Sequence, residues 1–568
     1  MLKKLFPFLR WFPMPRNELR ADLIAGLTVA LVLIPQSMAY AELAGLPPWV
    51  GLYAAFLPVI IGGLWGSSNH LQTGPVAMIA LLTASVLAPL AVAGSVEYTV
   101  LAAKLALLVG GLWALVTVLR LTFIINFLSR PVIEGFVHAG ALIIAASQLG
   151  KILGIEMVQG THYLTDLFIM LSQLGDLHVP SLLIGGGALF LLILGHRFFP
   201  RIPTALLVVV AGTAVVYFFG LSDADRAGGP MAIVGAVPSG LPKPVWAVPG
   251  IGDVFRLLPG ALIIALVGFM EMASVARALA ARSRQKLNLN QEMAGQTLAS
   301  IGSAFAGGFP VSGSFSRSAL NFASGAKSGL SAVFTGLFVM IFLLFFTRFL
   351  HYLPKSVLAA IIMSAVLRLI NFKQLWHYMQ VNKADGIAAF GTFGATLLFA
   401  PHLEKGIILG ASISIFIHLY RMMRPHVALL GLHPDGAMRD ADLHNLEIDP
   451  NLPAIRLDGR LFFANASYFE ESVYAVCERF PQARYVVVVC NGINEIDASG
   501  TEMLKDVASQ LKANDVQLLF VGVKNQVKDV MRVSGLDREV GEENFFGTFE
   551  HARSEIYARL PSDITYAI

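Results

Sequence analysis

The feature that most constrains this chain is a succession of apolar stretches, each long enough to cross a lipid bilayer. A bilayer core requires roughly 20 apolar residues per helix. A first set of stretches lies near 22–44, 49–66, 74–92, 98–119, 124–148, 180–198 and 203–220, and a second near 253–280, 289–306, 314–324, 329–350, 354–370, 385–401 and 406–422. The pattern predicts a polytopic α-helical membrane protein with about 14 transmembrane segments.

The composition supports the membrane prediction and excludes other classes. Hydrophobic residues make up 56% of the chain and charged residues only 14%, compared with roughly 25% charged residues in soluble domains. The net charge of +4 gives no reason to expect a nucleic-acid partner. The two cysteines, Cys477 and Cys490, are too few for a disulfide framework or a metal site. We interpret them as small residues of a reduced cytoplasmic domain.

The distribution of lysine and arginine predicts the orientation, because cytoplasmic loops carry an excess of both. The N-terminal tail and the loops after even-numbered segments contain these residues: Lys3, Lys4, Arg10, Arg16, Arg20, Arg120, Arg130, Arg197, Arg201, Arg282, Arg284, Lys286, Lys373 and Lys383. Opposite loops contain fewer. The sequence therefore predicts that both termini are cytoplasmic, and we see no cleaved signal peptide.

The composition changes after Arg424, where the last apolar segment ends. Strand patterns lie at 455–463, 484–490 and 516–522, and helical patterns lie at 468–480 and 500–513. This alternation predicts an α/β domain with a helix-backed sheet. The predicted organisation is a tail over 1–21, a transmembrane domain over 22–424, a linker over 425–451 and a cytoplasmic domain over 452–568.

The transmembrane domain contains a weak internal repeat, with halves at about 22–220 and 253–424. The first and eighth segments align without gaps, and Gln36 then corresponds to Glu271. The third and tenth segments are both short and are preceded by Gly and Pro. Seven segments per half is an odd number, so the two halves would have inverted topology. Interrupted segments at corresponding positions indicate a transporter binding site.

Two charged residues inside apolar segments are candidates for a functional role. Glu271 lies deep in the eighth segment, where a carboxylate needs a partner, a cation or a proton. A proton-coupling group and a structural carboxylate both fit this position. Arg317 lies in the serine-rich tenth segment with Ser312, Ser314, Ser316 and Ser318. A guanidinium suits an oxyanion, and two facing helix N-termini would add positive dipole ends. The alternative is that Arg317 extends to the interface or pairs with a carboxylate.

Gln36 and Tyr40 lie four residues apart in the first segment and share a helix face. Gln36 could hydrogen-bond a substrate, and Tyr40 could line a cavity. Glu42 fits either a carboxylate at the water interface or a role in coupling. In the C-terminal domain, Ser499 is expected at a helix N-terminus, where a helix cap or a phosphate would be favoured. Catalytic constellations, zinc signatures and a P-loop are absent from the sequence, which argues against an enzyme and against an ATP-driven pump.

These residues occur in stretches that resemble the sulfate permease family of anion transporters. The resemblance covers nearly the whole chain. It is carried by Asp22-Leu-Ile-Ala-Gly-Leu-Thr-Val, by Ile34-Pro-Gln-Ser-Met-Ala-Tyr-Ala-Glu-Leu-Ala-Gly-Leu-Pro-Pro48, by Gly51-Leu-Tyr53, by Ser316-Arg317-Ser318 and by the surroundings of Glu271. The C-terminal domain looks like a STAS domain by its strand order and by Asp497-Ala-Ser-Gly500.

The resemblance implies seven-plus-seven inverted repeats, a core domain that moves against a gate domain, and usually a homodimer. It places the substrate between the N-termini of segments three and ten. The substrate-binding residues would be Gln36, Tyr40, Val76, Ala77, Phe315, Ser316 and Arg317. Glu271 matches the acidic coupling position of proton-linked members.

The expected function is therefore secondary active anion transport, with proton-coupled sulfate uptake favoured, in a bacterial inner membrane. Sodium-coupled bicarbonate members have an aspartate in this region and lack the Ser-Arg pair. A sodium–bicarbonate symporter, a dicarboxylate or chloride transporter, and a channel on the same fold remain alternatives. We expect no metal and no cofactor, with a proton or sodium as the coupling ion. A cytoplasmic protein partner of the STAS domain is also expected.

Overall fold

The computed structural model describes residues 6–121, 129–155, 163–198, 203–222 and 230–559. Parts of the predictions fall outside these ranges, namely residues 1–5 of the tail with Lys3 and Lys4, the start of the segment at 124–148, Arg201, and residues 560–568 of the C-terminal domain. The described chain divides into two compact units, one that ends at Ser414 and one that begins at Ile415.

Every predicted apolar segment contains a helix. The helices of the first half are α1 (Arg16–Leu43), α2 (Pro48–Trp65), α3 (Ala77–Leu87), α4 (Val96–Val118), α5 (Arg130–Leu153), α6 (Tyr163–Ser172), α7 (Val179–Phe198) and α8 (Thr204–Phe219). Those of the second half are α9 (Ile251–Ser283), α10 (Leu289–Phe305), α11 (Phe315–Ala323), α12 (Leu330–Phe345), α13 (Lys355–Val366), α14 (Phe372–Val381), α15 (Lys383–Phe399) and α16 (Leu403–Met423).

The helix pattern confirms the predicted fold class, although two short helices, α6 and α14, were not predicted. Within the described ranges, 8 helical stretches are long and apolar enough to cross a bilayer by length and composition. Shorter apolar helices include α3, α8 and α12. The third and tenth segments are short as predicted, because each contains a β-strand before its helix: β1 (Thr73–Gly74) and β2 (Ser312–Gly313).

Small residues allow the helices around α1 to pack closely, which explains two glycines in the family-like motifs. A Cβ atom at Gly51 of α2 would lie 1.9 Å from the carbonyl oxygen of Ser37 in α1. A Cβ atom at Gly26 of α1 would lie 2.7 Å from the carbonyl oxygen of Ser331 in α12. Any larger side chain would therefore force these helices apart, and close approach through small residues is a common packing mode in membranes.

The second unit contains a six-stranded sheet in the order β4-β3-β5-β6-β7-β8. Its strands are β3 (Val427–Leu432), β4 (Met438–Asp440), β5 (Ala454–Leu457), β6 (Tyr485–Val489), β7 (Gln517–Val521) and β8 (Phe545–Phe546). β3 is antiparallel to both neighbours, and the pairs from β5 to β8 are parallel. The helices are α17 (Ala441–His444), α18 (Ala466–Arg479), α19 (Ala498–Ala513), α20 (Asn525–Ser534), α21 (Leu536–Val540) and α22 (Phe549–Arg559).

Both faces of this sheet are covered, which explains the continuous valine run of β6. Val486 and Val488 pack with α18, α19 and α20 on one face, and Val487 and Val489 pack with α22 on the other. Strand side chains alternate between faces, so a strand buried on both sides is apolar throughout. The prediction of a helix-backed sheet is confirmed.

The prediction of a linker over 425–451 is wrong, because this range contains β3, β4 and α17. β3 pairs with β5 over Val427↔Leu457 to Leu430↔Ala454 and so belongs to the sheet. The turn before β4 contains Pro434-Asp435-Gly436, a typical turn sequence. The apolar run of β3 is short and follows the last membrane helix closely, which obscured its strand character.

Candidate functional site

The candidate site is built where two short helices begin next to a two-stranded ladder. β1 and β2 pair antiparallel, with Thr73 opposite Gly313 and Gly74 opposite Ser312. α3 begins shortly after β1, with Val76 as its N-cap, and α11 begins shortly after β2, with Ser314 as its N-cap. The first N–H groups of an α-helix have no partner within the helix. The ladder therefore brings two sets of free backbone donors close together.

Gly74 and Pro75 shape the backbone before α3. Gly74 has a φ of 148°, which side-chain-bearing residues rarely adopt. Pro75 carries no N–H, and its carbonyl oxygen accepts a hydrogen bond from Nη1 of Arg317 at 2.8 Å. This bond joins the start of α3 to α11, in addition to the ladder.

Arg317 is the most deeply buried cation of the site, with 1% of its surface exposed. Its Nη1 donates to Pro75, but its Nε and Nη2 are buried and have no hydrogen-bond partner among the described residues. A buried guanidinium without a carboxylate is costly. The unused donors make this side chain suited to an anion that presents oxygen atoms.

Tyr40 and Glu271 complete the charged surroundings of Arg317. Tyr40 of α1 is buried and lies within electrostatic range of both Arg317 and Glu271. Glu271 of α9 interacts electrostatically with Arg317, and its buried Oε2 has no hydrogen-bond partner among the described residues. The structure thus brings together two charged residues that the sequence placed in separate segments, the eighth and the tenth.

The remaining predicted substrate residues surround this centre. Gln36 lies one helical turn before Tyr40, is buried, and has an Oε1 atom without a partner among the described residues. Val76 and Ala77 at the start of α3 are buried, whereas Phe315 and Ser316 at the start of α11 are exposed.

Three of the four serines near Arg317 form hydrogen bonds with backbone groups. Ser312 Oγ donates to the carbonyl of Gly268 at 2.8 Å, and Ser318 Oγ accepts from the N–H of Gln72 at 2.8 Å. Ser314 Oγ accepts from the N–H of Arg317 at 3.5 Å as the cap of α11. The Oγ of Ser316 lies 3.5 Å from that of Ser314, and Ser316 is the exposed one of the four, so its hydroxyl is the most accessible to a ligand.

The arrangement is chemically suited to hold an anion and to exchange a proton nearby. Two helix N-termini and one guanidinium attract negative charge, and a carboxyl group within electrostatic range can be neutral or charged. Within the described ranges, no group of three or more His, Cys, Asp or Glu side chains could hold a metal ion.

Comparisons with known proteins cover nearly the whole chain. The model of the sulfate permease family matches residues 19–392, and the STAS domain model matches residues 444–552. A probable sulfate transporter of Mycobacterium tuberculosis is 35% identical over 540 residues, which cover 94% of this chain and 95% of the relative. The chain belongs to the sulfate permease family. A chloroplastic sulfate transporter of Arabidopsis thaliana is 32% identical over 569 residues, covering 95% of this chain and 81% of the relative.

Solved structures confirm the fold of this sulfate permease family member. The murine Solute Carrier 26 family member A9 anion transporter matches with a TM-score of 0.89 at 23% identity, covering 98% of this chain and 94% of the other. The transmembrane domain of a cyanobacterium bicarbonate transporter matches with a TM-score of 0.59 at 20% identity, covering 71% of this chain and 98% of the other. The chain is thus a multi-pass membrane transporter for anions and not an enzyme.

In the STAS domain of this family member, Ser499 lies at a helix N-terminus, as the sequence indicated, but it is not the cap. Asp497, and not Ser499, is the N-cap of α19, because its side chain accepts from the N–H of Gly500 at 2.8 Å. Asp497 also accepts from the N–H of Phe463 at 2.9 Å. Ser499 lies exposed in the first turn of α19. Its phosphorylation remains a prediction.

Sequence reasoning missed the roles of two buried carboxylates. Asp22, at the start of the family motif, accepts from the N–H of Lys327 at 2.6 Å and from the N–H and Oγ of Ser328 at 3.1 and 2.6 Å. Glu292 accepts from the N–H groups of Ser67 and Ser68 at 2.6 and 2.7 Å. Both carboxylates tie a helix to a distant loop. An acidic residue in an apolar segment is the signal that could have found Glu292, as it did Glu271.

Glu42, for which the sequence left two interpretations open, forms an ion pair. Its Oε1 lies 3.0 Å from Nζ of Lys151 near the end of α5, and its side chain is 10% exposed. Glu42 is therefore a partly buried carboxylate that joins α1 to α5.

Proposed function

We propose that this transporter takes up sulfate together with protons. The observation that carries the proposal is Arg317, a buried guanidinium with two unused donor atoms, located next to two helix N-termini. A tetrahedral oxyanion offers several acceptor oxygens to these donors, whereas chloride offers one spherical charge. Relatives along nearly the whole chain carry the name sulfate transporter, which supports the same substrate.

The charge balance of the site supports coupling to a proton. Each helix N-terminus contributes about half a positive charge, and Arg317 contributes one. These positive charges match a doubly charged anion only when Glu271 is protonated. We infer that Glu271 binds a proton when sulfate enters and releases it when sulfate leaves. The site with its bound anion and proton then has little net charge when it moves through the low-dielectric interior of the membrane.

We propose that transport proceeds by an elevator-like or rocking movement of a core domain against a gate domain. The proposal includes a homodimer in a bacterial cytoplasmic membrane, with cytoplasmic termini. It also includes a protein partner for the STAS domain, and it requires no cofactor besides the coupling ion. The asymmetry of Lys and Arg between loops supports the orientation.

The test is uptake of labelled sulfate into proteoliposomes, with and without an inward proton gradient, in sodium-free and sodium-containing buffer. We expect saturable uptake that increases several-fold with the gradient and does not require sodium. Bicarbonate should compete weakly. Sodium-dependent bicarbonate uptake without sulfate uptake would replace the proposal with a bicarbonate symporter, and non-saturating flux would indicate a channel.

Glu271→Gln tests the coupling residue separately. We expect the variant to lose the stimulation by the proton gradient, because the amide cannot bind a proton. Glu97→Gln is the matched control, since Glu97 is an exposed carboxylate in the first turn of α4. Stimulation that persists in Glu271→Gln would remove the proton role from this residue.

A further inference from the structure

A second arginine, Arg368, lies near the candidate site and was not singled out by the sequence. It occupies the short 3-10 turn Leu367–Leu369, which follows α13. Its Nε donates to the carbonyl of Ser364 at 3.1 Å, and its Nη1 lies 3.2 and 3.3 Å from the two ring nitrogens of His196 in the last turn of α7. These contacts hold the guanidinium in one place although it is exposed.

Arg368 is electrostatically connected to the candidate site. Tyr40 lies within electrostatic range of Arg317 and also of Arg368. The tyrosine is thus a buried side chain influenced by two cations, one fully buried on α11 and one exposed after α13. Arg368 and His196 lie at the ends of two even-numbered segments, 354–370 and 180–198, so the predicted orientation places both on the cytoplasmic side.

The ordinary explanation for an arginine at a helix end is an interfacial position that satisfies the positive-inside pattern. That explanation does not account for the hydrogen bonds of Arg368 to Ser364 and His196, or for its position near Tyr40. Within the described ranges, Arg368 has no carboxylate partner at ion-pair distance, and no acceptor for Nη2 is present. Its charge is therefore not neutralised, and donors remain for a ligand.

We propose that Arg368, supported by His196, forms an outer subsite that binds a doubly charged oxyanion on its way to or from Arg317. This inference rests on the proposed function of the Arg317 site. The outer subsite raises the local concentration of the anion and favours divalent over monovalent anions, because the Coulomb energy scales with the ligand charge. Arg317 remains the inner binding residue, and Arg368 determines affinity and charge selectivity.

Transport kinetics provide the first test. We expect Arg368→Gln to raise the KM for sulfate about tenfold with a smaller change in kcat. Arg368→Lys should restore most of the affinity, because the subsite acts on anion binding through its positive charge. On a logarithmic scale, the shift for a competing monovalent anion should be about half of that for sulfate. Lys373→Gln is the control, because Lys373 is an exposed cation in the following helix α14. Equal KM shifts in Arg368→Gln and Lys373→Gln would overturn the subsite.

Cysteine labelling provides a second test that does not require transport. Leu369→Cys, an exposed position next to Arg368 that leaves the His196 contact intact, is made in a Cys477→Ser background, because burial raises the pKa of Cys490 to about 12 and leaves this thiol inert. The measured quantity is the labelling rate of an anionic thiosulfonate divided by that of a cationic one. This ratio should be about tenfold higher when Arg368 is present than in the Arg368→Gln variant. Sulfate should slow labelling only when Arg368 is present.

The outcomes separate the two proposals. A reagent preference that does not depend on Arg368, together with no protection by sulfate, would overturn the outer subsite even if sulfate is transported. A preference that depends on Arg368, with protection by sulfate but no sulfate uptake by the unmodified chain, would preserve the subsite and refute the proposed function.

Discussion

The two helix ends that meet at the ladder of β1 and β2 are alike in backbone and unequal in side chains. α3 begins with Val76 and Ala77, which are buried and apolar, and its N-cap makes no side-chain hydrogen bond. α11 begins with a capping Ser314, an exposed Ser316 and the buried Arg317. The fold therefore supplies a helix N-terminus twice but a full charge only once.

This inequality explains how such a site can bind an anion and still release it. Two arginines facing one small anion would each have to be desolvated, and each would be left uncompensated after release. A backbone dipole end carries only about half a charge and is already fixed in place. The end of α3 thus contributes attraction without a mobile charge, while α11 contributes the residue that determines affinity.

The largest expected effect comes from removing the charged side chain of α11, so that neither helix N-terminus has a full charge. Arg317→Gln should reduce saturable anion uptake by about 100-fold, because charged hydrogen bonds to the anion are lost and the two dipole ends remain alone. Arg317→Lys should retain the charge but lose the forked geometry, with an intermediate loss. Uptake and thermal stability are measured on the same purified variants. Normal uptake by a stable Arg317→Gln variant would contradict the role of α11.

A change on the α3 side should have a smaller effect that is transmitted through Arg317. At Gly74 an added Cβ would lie 3.2 Å from Nη2 of Arg317, and the φ of 148° would be strained. We expect Gly74→Ala to destabilise the protein by about 1–3 kcal/mol and to raise the KM for the anion about tenfold.

Gly94→Ala is the matched control for that variant. Gly94 also has a positive φ, of 79°, but an added Cβ would meet no atom within 4 Å. It should reduce the melting temperature without changing KM. If both glycine variants change KM alike, the backbone before α3 does not position Arg317.

The charged residues of the site could be predicted from the sequence because charged side chains are rare in apolar segments. Arg317 and Glu271 are conspicuous in apolar segments, and the Gly-Pro and serine-rich stretches indicated the two helix starts. The partner of Arg317 was not predictable in this way. The carbonyl of Pro75 meets Arg317 only because β1 pairs with β2 in one particular register, and a single sequence does not specify the register of such short strands.

The same reason explains the other errors. Asp22 is fixed by the loop at Lys327 and Ser328, far away along the chain, so its role depends on tertiary contacts. Asp497 and Ser499 are both good helix caps, and the choice depends on a boundary that sequence patterns locate only within a few residues. Arg368 gave no signal because an arginine at the end of an apolar segment is ordinary.

The smallest expected effect tests whether the side-chain cap of α11 matters for binding. Ser314→Ala removes the acceptor for the N–H of Arg317 and makes α11 resemble α3, which lacks such a cap. We expect a stability loss of about 1 kcal/mol and a two- to threefold rise in KM, roughly the cost of a slightly misplaced Arg317. Ser95→Ala removes a comparable cap, the acceptor for the N–H of Tyr98 at the start of α4. Both variants should unfold at lower temperature, and only Ser314→Ala should bind the anion more weakly. A rise in KM for both would mean that general destabilisation, and not the cap of α11, weakens the site.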